Sequence, residues 1–142
     1  VVTGQTFESG TSEGWGVLDA ANMVNYEAPT SYAGTRLLAF NAGSGSGTGS
    51  VINDLGIAIP HGSTWAPLAM VRAEGGTAAG SFCLWLVGVS ANDQTCVSYS
   101  VTDKGWTRLD ITATAAAGIH NLARVQFYPS EGTTRIDNTF VR

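Results

Sequence analysis

Apolar and polar residues alternate in short segments along this chain, and Gly, Ser, Asn and Pro interrupt them at regular intervals. A period of two residues is the signature of strands with one buried face. The pattern predicts eleven strands: Gln5–Glu8, Trp15–Val17, Asn22–Asn25, Thr35–Asn41, Gly49–Leu55, Thr64–Arg72, Ser81–Val87, Gln94–Val101, Trp106–Thr112, Leu122–Tyr128 and Thr134–Val141. Their spacing of about 8–15 residues suits an all-β sandwich of two antiparallel sheets. Helix signals are poor, because the Ala113–Ala117 run meets Gly118 at once and is too short to hold a helix.

Two segments stand out within this pattern. Thr64–Arg72 is apolar on both faces, which predicts a central strand, with Pro67 demanding a bulge or an edge. In Leu122–Tyr128 one face carries Leu122, Ala123, Val125 and Phe127, and the other carries Arg124, Gln126 and Tyr128. The second set mixes planar polar groups with a ring, the composition of a sugar-binding strand face. The tract GSGSGTGS from Gly43 to Ser50 reads as a hairpin loop rather than an inter-module linker, since the apolar strands on both sides need one core.

Length changes the picture little: 142 residues predict one domain spanning 1–142. Charge changes it more. Only 13% of residues are charged and the formal net charge is −4, with Lys104 the single lysine. No basic stripe is available for nucleic acid or an anionic membrane, and no stretch approaches a membrane span. A weakly charged surface rich in Ser, Thr and Gly suits a neutral polar ligand and a secreted, monomeric protein. No signal peptide is visible, and the start at Val1-Val2 inside a strand-like stretch reads as an excised module or mature product.

The two cysteines, Cys83 and Cys96, are expected to form a disulfide, since free thiols are a liability on a secreted surface. Two turn placements compete. A register that opposes the cysteines centres the turn between Val89 and Ser90, whereas turn chemistry centres it near Asn92-Asp93 and sets the cysteines too far apart. A bulge or a longer connection would reconcile them.

Six blocks in order then resemble the carbohydrate-binding modules of families 4, 9, 16 and 22. They are FESGTSEGW (Phe7–Trp15), SYAGTRLLAF (Ser31–Phe40), DLGIAIPHGSTW (Asp54–Trp65), FCLWLVG (Phe82–Gly88), GWTRLDITATA (Gly105–Ala115) and ARVQFYPSEGTTRIDNTFV (Ala123–Val141). The resemblance implies a galactose-binding-like jelly roll, a ligand groove and a structural calcium. It places the metal between Glu8 and Asp137, completed by main-chain carbonyls near Gly34. The residues alone, with side chains pointing outward or toward the sheet edge, favour two solvated surface carboxylates.

For the ligand, a stacking platform needs an exposed flat ring. Trp85 and Tyr128 are the candidates, with Tyr99 and Tyr26 behind them, and Arg124 and Gln126 beside Tyr128 to bond sugar hydroxyls. Both faces of the strand holding Trp85 are apolar, so its ring is equally placed for groove or core. Trp15, Trp65 and Trp106 read as structural. Catalysis lacks a motif: the carboxylates form no recognisable pair for glycoside hydrolysis, and His61 and His120 sit in turn contexts typical of surface residues. The resemblance thus implies a non-catalytic module, part of a larger secreted enzyme, binding neutral β-linked polysaccharide of the β-glucan or xylan type. The competing readings are a structural or protein-interaction domain and a small jelly-roll lyase using His120, Arg124, Gln126 and Tyr128.

Overall fold

A computed structural model of the chain describes residues 3–19, 21–43, 49–89, 91–116 and 120–141. Two antiparallel sheets pack face to face, as the alternation predicts. One sheet runs β10 (Thr107–Asp110), β7 (Leu68–Ala73), β13 (Thr134–Val141), β4 (Arg36–Asn41), β3 (Asn22–Glu27), with β1 (Thr3–Gln5) also on β13. The other runs β2 (Trp15–Leu18), β5 (Ser50–Leu55), β12 (His120–Glu131), β8 (Thr77–Gly88), β9 (Asn92–Thr102). A short pair, β6 (Thr64–Trp65) with β11 (Ala113–Thr114), lies apart from both. The described residues hold no helix.

Every predicted strand overlaps an observed one, with informative differences. Pro67 cannot donate to a ladder, so the Thr64–Arg72 run breaks at Ala66-Pro67 into β6 and β7. Past the break β7 is interior, paired to both β10 and β13. Strand β1 ends at Gln5, and Phe7 follows in a turn at φ 63°, yet its side chain is fully buried. The Gly43–Ser50 tract is not a hairpin loop, because β4 and β5 lie in different sheets. Its residues 44–48 lie outside the described residues, as do Val1, Val2, Ala117 and Gly118.

The core fills the space between the sheets and centres on Phe127. Its ring stacks on Phe82 at 4.5 Å and meets Phe40, Trp15 and Tyr99 at 5.1, 5.8 and 6.0 Å. Aromatic pairs at these separations contribute about 0.5–1.5 kcal/mol each beyond their burial. Trp15 and Trp65 are buried in the same cluster. Trp106 instead covers a smaller cluster of Ala28, Leu37 and Ala39 on the outer face of the first sheet.

The hairpin β8–β9 settles the competition over the turn. Cys83 pairs directly with Cys96 and Val87 with Asn92, so the connection between β8 and β9 is Val89–Ala91, and Ser90 within it lies outside the described residues. The cysteines are bonded, with Cα atoms 4.1 Å apart. Asn92 does not turn the chain; it opens β9, and its side-chain oxygen accepts the Gly88 N–H at 3.2 Å.

Candidate functional site

The solvent face of the second sheet is built by alternation along β12 and β8. Inward residues Ala123, Val125, Phe127, Phe82, Leu84 and Leu86 enter the core. Their neighbours must therefore face out, and register aligns them in rows: Arg124 with Trp85 and Gln94, Gln126 with Cys83 and Cys96, Tyr128 with Ser81 and Ser98. A groove of about 260 Å³ follows these rows, lined by Trp85, Arg124, Gln126 and Tyr128 with Leu122 and Val87 at one end. Trp85 thus faces the groove rather than the core. Leu122 lies on this face and not with Val125 and Phe127 as expected, because it stands two positions from Arg124 and pairs with Val87.

Polar groups on the floor are fixed by partners. Arg124 donates two hydrogen bonds to Asp54 on β5, Nε to Oδ1 at 2.7 Å and Nη2 to Oδ2 at 2.8 Å. These bonds hold the guanidinium above its ordinary pKa. Planar groups in this fork lose little further freedom when a ligand arrives. Gln126 is buried and donates to Ser50 Oγ at 2.9 Å, which orients its amide. The Trp85 indole N–H is buried without an acceptor among the described residues.

A second arrangement lies against the first sheet. Asp137 on β13 is 0% exposed. Its Oδ2 accepts the N–H groups of Tyr32 and Ala33 at 2.9 and 3.0 Å, and its Oδ1 that of Asn138 at 2.7 Å. Glu8 Oε1 accepts the N–H groups of Thr35 and Arg36 at 3.0 and 2.8 Å, and Oε2 the Thr35 hydroxyl at 3.1 Å. The two carboxylates thus grip both ends of the loop 31–35. Burial raises the Asp137 pKa, and the Glu8 charge adds to that. Glu8 itself is lowered, first by the Arg36 N–H. Gly34 is required here: it sits at φ 67°, and a Cβ would come within 2.5 Å of the Glu8 carboxylate.

These residues fit a hard cation. Among the described residues neither carboxylate has an ion-pair partner. Each keeps one oxygen with a single acceptor contact, hence a spare lone pair. The described residues contain no cluster of three His, Cys, Asp or Glu, so main-chain carbonyls and water would complete the shell.

No protein-family profile and no curated protein matches the chain. Solved structures do. The family 22 xylan-binding domain CBM22-1 of Paenibacillus barcinonensis Xyn10C superposes with TM-score 0.79 at 17% identity, over 99% of this chain and 92% of that one. The fold is that of a carbohydrate-binding module. The Clostridium thermocellum xylanase 10B CBM22-1–GH10 modules, complexed with xylohexaose, align at TM-score 0.76 and 17% identity over 99% of this chain and 28% of that one. TmCBM61, complexed with β-1,4-galactotriose, aligns at TM-score 0.66 and 12% identity, over 96% and 93% of the two chains. These two similar structures hold different sugars on one fold.

Within this module fold two predicted positions turn inward. Tyr99 alternates with Ser98 and Ser100, so its ring enters the core, and its hydroxyl shares a hydrogen bond with Thr134 Oγ1 at 2.8 Å. His120 is not a surface residue: its side chain is fully buried, with Nε2 3.1 Å from Asp93 Oδ2 but misaligned for a hydrogen bond. Asp54 and Ser50, which fix Arg124 and Gln126, escape sequence reading because cross-strand neighbours depend on register. Tyr26 sits on the far sheet, under Arg135 at 5.4 Å and bonded to Glu74.

Proposed function

We propose that the chain is a non-catalytic module that binds neutral β-linked polysaccharide of the xylan or β-glucan type on the solvent face of its second sheet. The observation that carries this reading is the convergence of Trp85, Tyr128, Arg124 and Gln126 on one groove. Two rings offer apolar faces to sugar C–H surfaces, and a locked guanidinium and amide offer directed donors and acceptors to hydroxyls. The xylan-binding domain and the xylohexaose complex among the similar structures support the sugar class. Arg124 is matched by Asp54, which favours an uncharged ligand.

Catalysis is disfavoured by the same groups. Hydrolysis needs two available carboxylates, and Asp54 is engaged by Arg124 on the groove face. The lyase reading needs His120 at the ligand, and its ring is buried beside Asp93. The Glu8–Asp137 pair is proposed to hold a structural Ca²⁺, whose charge would offset the repulsion between two close carboxylates and tie the loop 31–35 to β13. The disulfide favours an oxidising, extracellular setting. The GH10-linked similar structure favours attachment to a larger enzyme. A monomer without nucleic-acid or membrane partners fits the acidic, weakly charged surface.

Affinity electrophoresis on a panel of soluble glycans tests the reading. Wild type should be retarded by xylan or β-glucan, and Trp85→Ala and Tyr128→Ala should each weaken retardation. No retardation by any glycan would favour a structural or protein-interaction domain, and depolymerisation would favour an enzyme.

A further inference from the structure

The groove does not end at Tyr128. A second depression of about 640 Å³ adjoins it there, more than twice the volume of the first, and the Tyr128 side of the wall is common to both. Its lining is chemically different. Beyond Tyr128 it presents Ala79, Gly80, Ser81, Ser98 and Ser130, with Ala42 and Gly49 also on its wall, and no charged side chain among the described residues lines it. Ser81 and Ser98 share one row with Tyr128 across β12, β8 and β9. Their hydroxyls and that of Ser130 form no hydrogen bond with protein groups among the described residues.

We propose that this depression is a subsite for an uncharged sugar branch, so that the module selects a side-chain-substituted polysaccharide over a linear one. The proposal rests on the polysaccharide reading above. A main-chain sugar is held by stacking, and the half-buried groove rings stand at the Trp85–Tyr128 end. Small side chains next to that end leave room off the main-chain path, and three hydroxyls without a protein partner among the described residues can exchange hydrogen bonds with branch hydroxyls. The uncharged lining decides between branch types. It offers no cation to a uronic acid, whose carboxylate would lose water without a partner.

Calorimetric titration of the whole chain with three ligands tests this: a linear xylo-oligosaccharide, one of the same length with neutral arabinosyl branches, and one with uronic acid branches. Two recovered hydrogen bonds predict about tenfold tighter binding of the neutral-branched ligand than of the linear one. The acidic branch should bring no gain. Ser81→Phe, which fills the depression from a strand position that tolerates an aromatic, should erase the gain, so that the ratio of neutral-branched to linear affinity falls to about one. Ser98→Phe on the exposed edge strand β9 serves the same end if the first variant folds poorly. Equal wild-type affinity for linear and neutral-branched ligands would overturn the subsite and leave the polysaccharide reading standing. So would a gain that survives both substitutions. Failure of all three ligands to bind would overturn the subsite together with the xylan reading, and retardation by β-glucan in the glycan panel would then decide whether the polysaccharide reading itself stands.

Discussion

Replacing both cysteines by alanine isolates the contribution of the cross-strand bond in the groove floor. Cys83 and Cys96 are 13 positions apart, so the bond closes a loop of about 14 residues. On the chain-entropy account, opening that loop in the unfolded chain is worth about 3 kcal/mol. That is a large part of the roughly 5–15 kcal/mol by which a domain is stable. With a urea slope near 2 kcal/mol per molar, the unfolding midpoint should fall by about 1.5 M. The native ladder should survive, because β8 and β9 are paired from Thr77–Thr102 to Val87–Asn92 without the bond. Tryptophan fluorescence and circular dichroism before denaturation should therefore match wild type. Reductant should reproduce the shift in wild type and leave the variant unmoved. A midpoint within about 0.3 M of wild type would refute the reasoning, since it would mean that the unfolded hairpin already holds this loop closed.

Chelation should lower the melting temperature while the strand spectrum persists. At about 100 times its dissociation constant a bound Ca²⁺ adds roughly 2.7 kcal/mol, or on the order of 10 °C for a domain of this size. Glu8→Gln combined with Asp137→Asn should abolish the chelator effect, and glycan affinity should be indifferent to chelation because the groove lies on the other sheet; identical melting in EDTA and in millimolar Ca²⁺ would sink the site. Stability should also decline in alkali. Burial pushes the Tyr99 hydroxyl up to about 12, so the unfolded chain loses this proton first, near pH 10. The contribution, about 3 kcal/mol, is present below pH 10 and lost as pH rises through 12. Denaturation at pH 9 and 11.5 checks this, with Tyr99→Phe expected to show the smaller decline.

Alternation made the strands legible because it reports one buried face, and β12 shows how far that reaches. Val125 and Phe127 were readable as core and Arg124, Gln126 and Tyr128 as groove from spacing alone. Leu122 was readable as groove by the same period, and only its apolar side chain drew it into the core set. Trp85 was undecidable for a different reason: both faces of β8 are apolar there, and only pairing with Arg124 fixes its side. Tyr99 and Tyr128 look alike in sequence and differ by one step of phase. Asp137 was expected at a surface edge and is buried, since the loop 31–35 comes from over a hundred residues away to cover it. The left-handed turns at Phe7 and Asn138 flank the two carboxylates and carry no glycine to announce them.

The pairing of the first strand with the last bears on how the fold answers tension. Thr3 lies opposite Val141 and Gln5 opposite Thr139, so a pull on the two ends loads this ladder one rung at a time. It would peel at a modest force. The peel then meets Glu8, whose carboxylate is anchored on the Thr35 and Arg36 amides beside β4. Stretching would thus spend itself on a few residues of β1, and the sheet that carries Trp85 and Tyr128 would keep its shape under load.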